Sequence, residues 1–301
     1  MRDLDKIKAH LALLGVALIY GLNYSIAKDV MPEYLQPRAF ILLRISGAVL
    51  LFFAFSIGGS HEKIDRKDWL RIIGAGLFGV ATNQLLFFEG LNISSPISAA
   101  VIMTTNPIMV LILAAIFLKA PLTWPRILGI ALGLSGALYL ISQGKSLNNL
   151  FQKGESLGNI LVMLNALSYA AYLVVVKPLM QKYRPLTVIK WVFLAGWFFA
   201  FPFGISQVPA IEWLSIPGKI YWEIAFVIVG TTFLAYLLNI YALKTVSSTT
   251  VSFYIYLQPL IATAAAVLVG SDHPETHMLI AALLIFSGVY LVSFYNRKRT
   301  Q

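Results

Sequence analysis

Amide and phenol side chains recur inside long apolar runs of this 301-residue chain. Tyr20, Asn23 and Tyr24 follow the i, i+3, i+4 spacing that puts side chains on one helix face. Asn83 and Gln84 are adjacent, Asn165 precedes Tyr169 and Tyr172, and Tyr236 precedes Asn239. Asn106 and Gln258 each stand immediately before a proline, Pro107 and Pro259. A lipid-facing helix does not carry asparagine in mid-span without a partner. Taken singly, each amide reads as an interhelical hydrogen bond. Taken together, the set predicts a polar, aromatic-lined cavity for a small molecule. Each proline removes a backbone donor and crowds the carbonyl four residues earlier, at Met103 and Ile255. Such carbonyls must be satisfied by protein or by a wet cavity. The pair therefore predicts two flexible cavity-lining helices; the alternative is two ordinary kinks.

Charged residues inside the apolar runs are few. Glu89 is the acid singled out within a predicted span, away from the ends where Asp29 and Glu223 fall, and Arg44 sits within another. Ionisable groups in a membrane are expensive and mark pathways or relays. Two readings stand for the pair: a structural ion pair, or a proton or substrate-amine site at Glu89 whose protonation Arg44 modulates. Protons are thus a candidate coupling ion. Lys28 and Lys177 close two further runs. They read either as paired gates at opposite mouths, or as lysines that complement a helix C-terminus and reach the headgroups.

Several chemistries are excluded. There are no cysteines, hence no disulfide framework, zinc knuckle or thiol nucleophile. The four histidines lie at span ends or in loops, and the one pair with metal-ligand spacing, His273 and His277, flanks a proline and reads as solvated, so no metal and no other cofactor is expected. Gly144-Lys145-Ser146 lacks the first glycine of a phosphate loop, where Tyr139 stands, and no strand precedes it. Any pumping must then use a gradient or a partner protein. The +10 net charge sits in short connections between apolar runs, which points to membrane orientation and away from nucleic acid.

The elements that must position these residues follow from composition. The chain is 58% hydrophobic and only 12% charged, with a mean hydropathy of +0.78. No soluble core of this size buries that much apolar side chain. Runs of about 20 apolar residues predict ten spans, at about 9–31, 38–58, 69–91, 96–118, 124–142, 157–177, 187–206, 221–243, 246–269 and 277–295. The first run reads as a retained span. With this partition, 17 Lys and Arg fall on one side and 5 on the other. The bias predicts both termini in the cytoplasm of a multi-pass cell-membrane protein.

The chain also repeats itself. Tyr20, Lys28, Met31 and Tyr34 match Tyr169, Lys177, Met180 and Tyr183 at an offset of 149. Leu91, Ser95 and Pro107 match Leu243, Ser247 and Pro259 at an offset of 152, and Ser135-Gly136 matches Ser287-Gly288. The expected architecture is all-α and integral to the membrane: ten transmembrane helices as two five-helix repeats, 9–142 and 157–295. Because five is odd, the second repeat is inverted, an arrangement that places substrate near midplane between the halves.

Phe88-Glu89-Gly90-Leu91, Ser95-Pro96 and Thr105-Asn106-Pro107, with Tyr241-Ala242-Leu243 and Leu257-Gln258-Pro259 in the second half, resemble the drug/metabolite transporter superfamily, specifically its EamA-type ten-helix members. Arg44 and the Gly- and Ser-rich fifth and tenth spans also fit. The resemblance covers about residues 9 to 295. It implies secondary transport of amino acids, other metabolites or toxic analogues, often as efflux, with the first, third, fourth, sixth, eighth and ninth spans around the path. Two other classes stand as alternatives. A membrane enzyme acting on lipid-linked substrates would need clustered acids or histidines, and a scaffold has no use for an inverted duplication. Gly129, Gly133 and Gly136 give the fifth span a small-residue face suited to close packing, in which a homodimer interface is one reading.

Overall fold

The computed structural model describes residues 2–57, 62–119, 122–142, 154–243, 254–255 and 257–293. The apolar runs form helices because lipid offers the backbone no partner, and a helix satisfies its own amides. Proline sets several starts, since its missing N–H costs nothing in the first turn. Pro37 opens α2 (Pro37–Phe55), Pro96 opens α5 (Pro96–Met103) and Pro185 opens α9 (Pro185–Gly204). At α5 the Ser95 side chain accepts from the Ser98 N–H at 3.1 Å, capping the free end.

α1 is Arg2–Val30. α3 (Trp69–Gly76) and α4 (Thr82–Ile93) are joined by a π-helical stretch, Leu77–Ala81. α6 (Asn106–Leu118) continues α5 after two turn residues, and α7 is Trp124–Ile141. In the second half come α8 (Glu155–Lys182) and α9, then α10 (Gly218–Ala225) and α11 (Ala235–Leu243), joined by a second π-helical stretch, Phe226–Leu234. α12 (Gln258–Val269) and α13 (Thr276–Ser293) complete the described chain. Seven helical segments are long and apolar enough to cross a membrane; Trp124–Leu140, Gln258–Val269 and Thr276–Leu291 are shorter apolar helices. The fold is an all-helical membrane fold. The predicted start of the ninth span, 246–253, lies outside the described residues.

The halves meet along four main pairings: α1 with α11 and α12, α2 and α3 with α9, α4 and α6 with α8, and α7 with α13. Small residues let the backbones close. A Cβ on Gly90 would lie 2.8 Å from the Gly158 carbonyl oxygen, so only glycine fits between α4 and α8. A Cβ on Gly136 would lie 2.9 Å from Ala281 O, and one on Gly288 2.6 Å from Gly133 N. The small-residue face of the fifth span is therefore used inside the chain, against α13, and does not stand free for a second copy.

The proline expectation also changes. Pro107 does not kink a continuous helix: α5 stops at Met103, Thr104 and Thr105 turn, and α6 restarts at Asn106. The turn uses tight bonds, Thr104 N–H to Val101 O and Thr105 N–H to Ile102 O, at 3.1 and 2.9 Å. α12 begins at Gln258 with Pro259 in its first turn, after a Leu257 N–H to Tyr254 O bond of 3.2 Å. Proline without its N–H is at home at such a start.

Candidate functional site

A cavity of about 460 Å³ lies within the bundle, a size typical of small-molecule sites. Its wall takes residues from both halves: Leu13 to Tyr24 of α1, Arg44 of α2, Asn83 to Phe87 of α4, and the broken fourth segment around Thr104 and Asn106. The second half adds Asn165 to Tyr172 of α8, Ile189 to Phe193 of α9, Tyr236 and Asn239 of α11, and Gln258. The structure thus brings all twelve predicted cavity residues to one wall: Tyr20, Asn23, Tyr24, Asn83, Gln84, Asn106, Asn165, Tyr169, Tyr172, Tyr236, Asn239 and Gln258.

Local packing holds the polar lining in place. Asn165 Nδ2 donates to the Asn83 carbonyl at 2.7 Å, and Asn83 Nδ2 returns a long bond to the Asn165 carbonyl at 3.4 Å. Because the Asn165 nitrogen faces a carbonyl, which can only accept, its amide orientation is determined and Oδ1 is left as a free acceptor. The amide oxygens of Asn23, Gln84 and Asn106 are likewise buried without a protein partner. Tyr169 and Tyr172 lie with ring centroids 5.7 Å apart, and Tyr24 meets Phe87 edge-on at the same distance. The π-helical stretches beside the cavity are satisfied by side chains. Ser168 Oγ donates to Phe78 O at 2.7 Å, and Thr231 and Thr232 both donate to Val227 O. Extra bonds of this kind are what such stretches require in an apolar medium.

Arg44 also lines the cavity and is buried. Its Nε donates to Thr232 Oγ1 at 2.8 Å, and its guanidinium carbon lies 5.1 Å from the Phe88 ring centroid. The expected ion pair with Glu89 is not formed. Glu89 binds Arg38 instead, Nε to Oε1 at 2.6 Å, with side chains 47% and 31% exposed for Arg38 and Glu89. The reason is geometric: Arg38 lies in the first turn of α2, level with the C-terminal half of α4, whereas Arg44 is six residues deeper, about 9 Å by helix rise. Glu89 is not on the cavity wall.

The two lysines are not equivalent. Lys28 Nζ donates to Leu91 O, Asn92 O and Ser94 O at 2.9, 2.9 and 2.5 Å, closing the free carbonyls at the C-terminal end of α4. Lys177 is exposed and shows no bond among the described residues. The two positions, matched in the sequence, have different surroundings in this structure.

Sequence reasoning did not single out Asp68. It is 2% exposed and accepts from Lys182 Nζ at 2.6 Å, Tyr183 Oη at 2.8 Å and Arg71 Nη1 at 3.2 Å, while Lys182 also binds Asp65. This cluster ties the start of α3 to the end of α8. At the opposite end of the bundle, Ser98 Oγ donates to Glu155 Oε1 at 3.1 Å and Asp272 Oδ2 accepts from the Ile97 N–H at 3.2 Å.

The comparisons agree with this architecture. The EamA-like transporter family matches the chain twice, over residues 7–142 and 156–294. An uncharacterized transporter of Bacillus subtilis, YyaM, is 26% identical over 96% of each chain. An S-adenosylmethionine uptake transporter of Rickettsia felis is also 26% identical, covering 98% of this chain and 96% of its own. One solved crystal structure superposes with a TM-score of 0.62 at 18% identity, covering 96% of this chain and 98% of that one, which bears on fold alone. A helical membrane bundle with an amide- and tyrosine-lined cavity, matched in both halves by one family, identifies this chain as a member of the EamA-like transporter family.

Proposed function

We propose that the chain is a secondary transporter that moves small organic metabolites, amino acids or related compounds, across the cell membrane by alternating access. The observation that carries this reading is the central cavity, walled by both halves and flanked by a proline-bearing helix start in each, at Asn106 and Gln258. Half-helix ends meeting at a buried site are a recurrent way to bind cargo within a membrane.

We further infer ten spans in two inverted repeats, 9–142 and 157–295, with both termini cytoplasmic. Support comes from the double family match, and from the π-helical stretches at Leu77–Ala81 and Phe226–Leu234, which begin 149 residues apart. The helix pairings agree as well: exchanging the halves turns the α4 and α6 contact with α8 into that of α11 and α12 with α1. Repeats so related exchange conformations, and the exchange converts an inward-open state into an outward-open one.

We assign export as the direction. The cavity wall runs from mid-bundle toward the cation-rich end, through Leu13, Ile189 and Asn239, which gives a cytoplasmic cargo a route to the site; export itself rests on the frequent use of such carriers for efflux. The Rickettsia relative is named for uptake, and net efflux of the labelled compound from loaded vesicles distinguishes the two directions. Purified protein in liposomes, preloaded with unlabelled amino acids and metabolites, is expected to accumulate the matching labelled compound by exchange. Absence of exchange for every compound in a broad panel would remove the transport reading.

A further inference from the structure

We propose that Arg44 is the anion-binding element of the cavity, and that the cargo is a small molecule with a carboxylate at one pole and a hydrogen-bond donor, such as an ammonium group, at the other. The inference rests on the transport reading for the word cargo, and on the cavity alone for the binding chemistry.

Arg44 is the only charged side chain on the described cavity wall, and no carboxylate shares the wall with it. Its fixed contacts are all neutral: the Thr232 hydroxyl on Nε and the Phe88 ring against the guanidinium plane. Thr232 is itself held, since its hydroxyl hydrogen goes to Val227 O at 3.2 Å and leaves a lone pair for Arg44. The guanidinium is thereby oriented, and its terminal nitrogens have no hydrogen bond among the described residues. A buried cation calls for an opposite charge, and the acid that sequence alone pairs with it, Glu89, is engaged by Arg38. An oriented guanidinium with a free fork presents two parallel donors, the geometry that a carboxylate accepts.

The rest of the wall favours a donor. The buried oxygens of Asn23, Gln84 and Asn165 have no protein partner, and the Asn165 oxygen is fixed as an acceptor by its own amide bond. Tyr20, Tyr169 and Tyr236 add aromatic rings to the same wall. One positive pole and unpartnered amide oxygens on the same wall suit a zwitterion better than a cation or an apolar compound.

The test is ligand-induced thermal stabilisation of the purified full-length protein in detergent, across a panel of amino acids. Each is compared with its amide, its decarboxylated amine and its deaminated acid. The expected result is that one or more amino acids stabilise the protein, that their amides and amines do so at least roughly tenfold more weakly, and that the deaminated acids fall between. Arg44→Gln should abolish the acid-over-amide preference. Arg44→Lys should keep the preference at lower affinity, and Thr232→Val should weaken acid binding without reversing it; both stand in if Arg44→Gln fails to fold. Equal binding of acid and amide, binding unaffected by Arg44→Gln, or no stabilisation by any acid of the panel would overturn the proposal. Deaminated acids that match their amino acids would overturn the donor pole. Acid-selective, Arg44-dependent binding without flux in liposomes would remove the transport reading and leave this one. Flux of an uncharged cargo indifferent to Arg44→Gln would do the reverse.

Discussion

At the scale of single residues, charge acts in this chain according to what surrounds it. Lys28 closes three carbonyls at the end of α4, and Lys177 closes none. Lys28→Met is expected to cost about 1.5–3 kcal/mol, the worth of bonds from a charged donor at a part-buried site. Lys177→Met should stay within about 0.5 kcal/mol. Thermal unfolding in detergent separates the two, and equal losses would restore the idea of a matched pair. Glu89 shares a partly exposed pair with Arg38, which is worth at most about 1 kcal/mol after solvent screening. Glu89→Gln should therefore shift stability little and leave the response of flux to a pH gradient unchanged; loss of that response would return Glu89 to the coupling path. The amides and tyrosines of the cavity were legible in the sequence because lipid gives a mid-span amide nowhere else to go. Partner choice was not. That Arg38, and not Arg44, meets Glu89 depends on the register of α2 against α4, which hydropathy does not encode. Thr232 was silent for a related reason, since a threonine in an apolar helix commonly bonds its own backbone.

At the scale of elements, the break before Pro107 and the helix start at Gln258-Pro259 mark the fourth and ninth segments. Replacing either proline by alanine restores a donor and permits the helix to run on. Pro107→Ala and Pro259→Ala are each expected to slow exchange several-fold while expression falls less, and the double variant should be slower than either. Normal exchange in the double variant would show that the two prolines serve only packing. Proline announced these sites in the sequence, but not whether the helix bends or stops. That is decided by Thr104 and Thr105, whose tight turn removes two residues from the helix. The π-helical stretches were not legible at all: Leu77–Ala81 and Phe226–Leu234 look like any apolar run, and become visible only through the side chains that bond Phe78 and Val227. Asp68 escaped for a similar reason, because its burial comes from the end of α8, more than a hundred residues away. Asp68→Asn leaves Lys182 less well compensated beside a nearly buried side chain. It should lower stability by about 1–3 kcal/mol, readable as a fall in melting temperature.

At the scale of the whole molecule, the cation count was the most informative property of the sequence, since a span added or lost in the middle would scramble the 17-to-5 partition. Ten spans with cytoplasmic termini require residue 148 and residue 301 to face opposite sides. Reporter fusions at those two positions should give opposite signals, and agreement between them would remove the inverted arrangement. What the sequence left open was how the halves meet. An internal offset says that two segments are alike, whereas docking depends on shape: Gly90 against Gly158, and Gly136 and Gly288 between α7 and α13.

Those glycine contacts bear on the molecule's covalent wiring. Every major pairing joins a helix of one half to a helix of the other, so the chain is in effect a heterodimer whose subunits happen to share a peptide bond. Cut into two separately translated pieces, 1–148 and 149–301, it should reassemble in one membrane, co-purify and recover exchange. A bulky residue at Gly136 should break that complementation more severely than it harms the intact chain, where tethering holds the halves at high effective concentration.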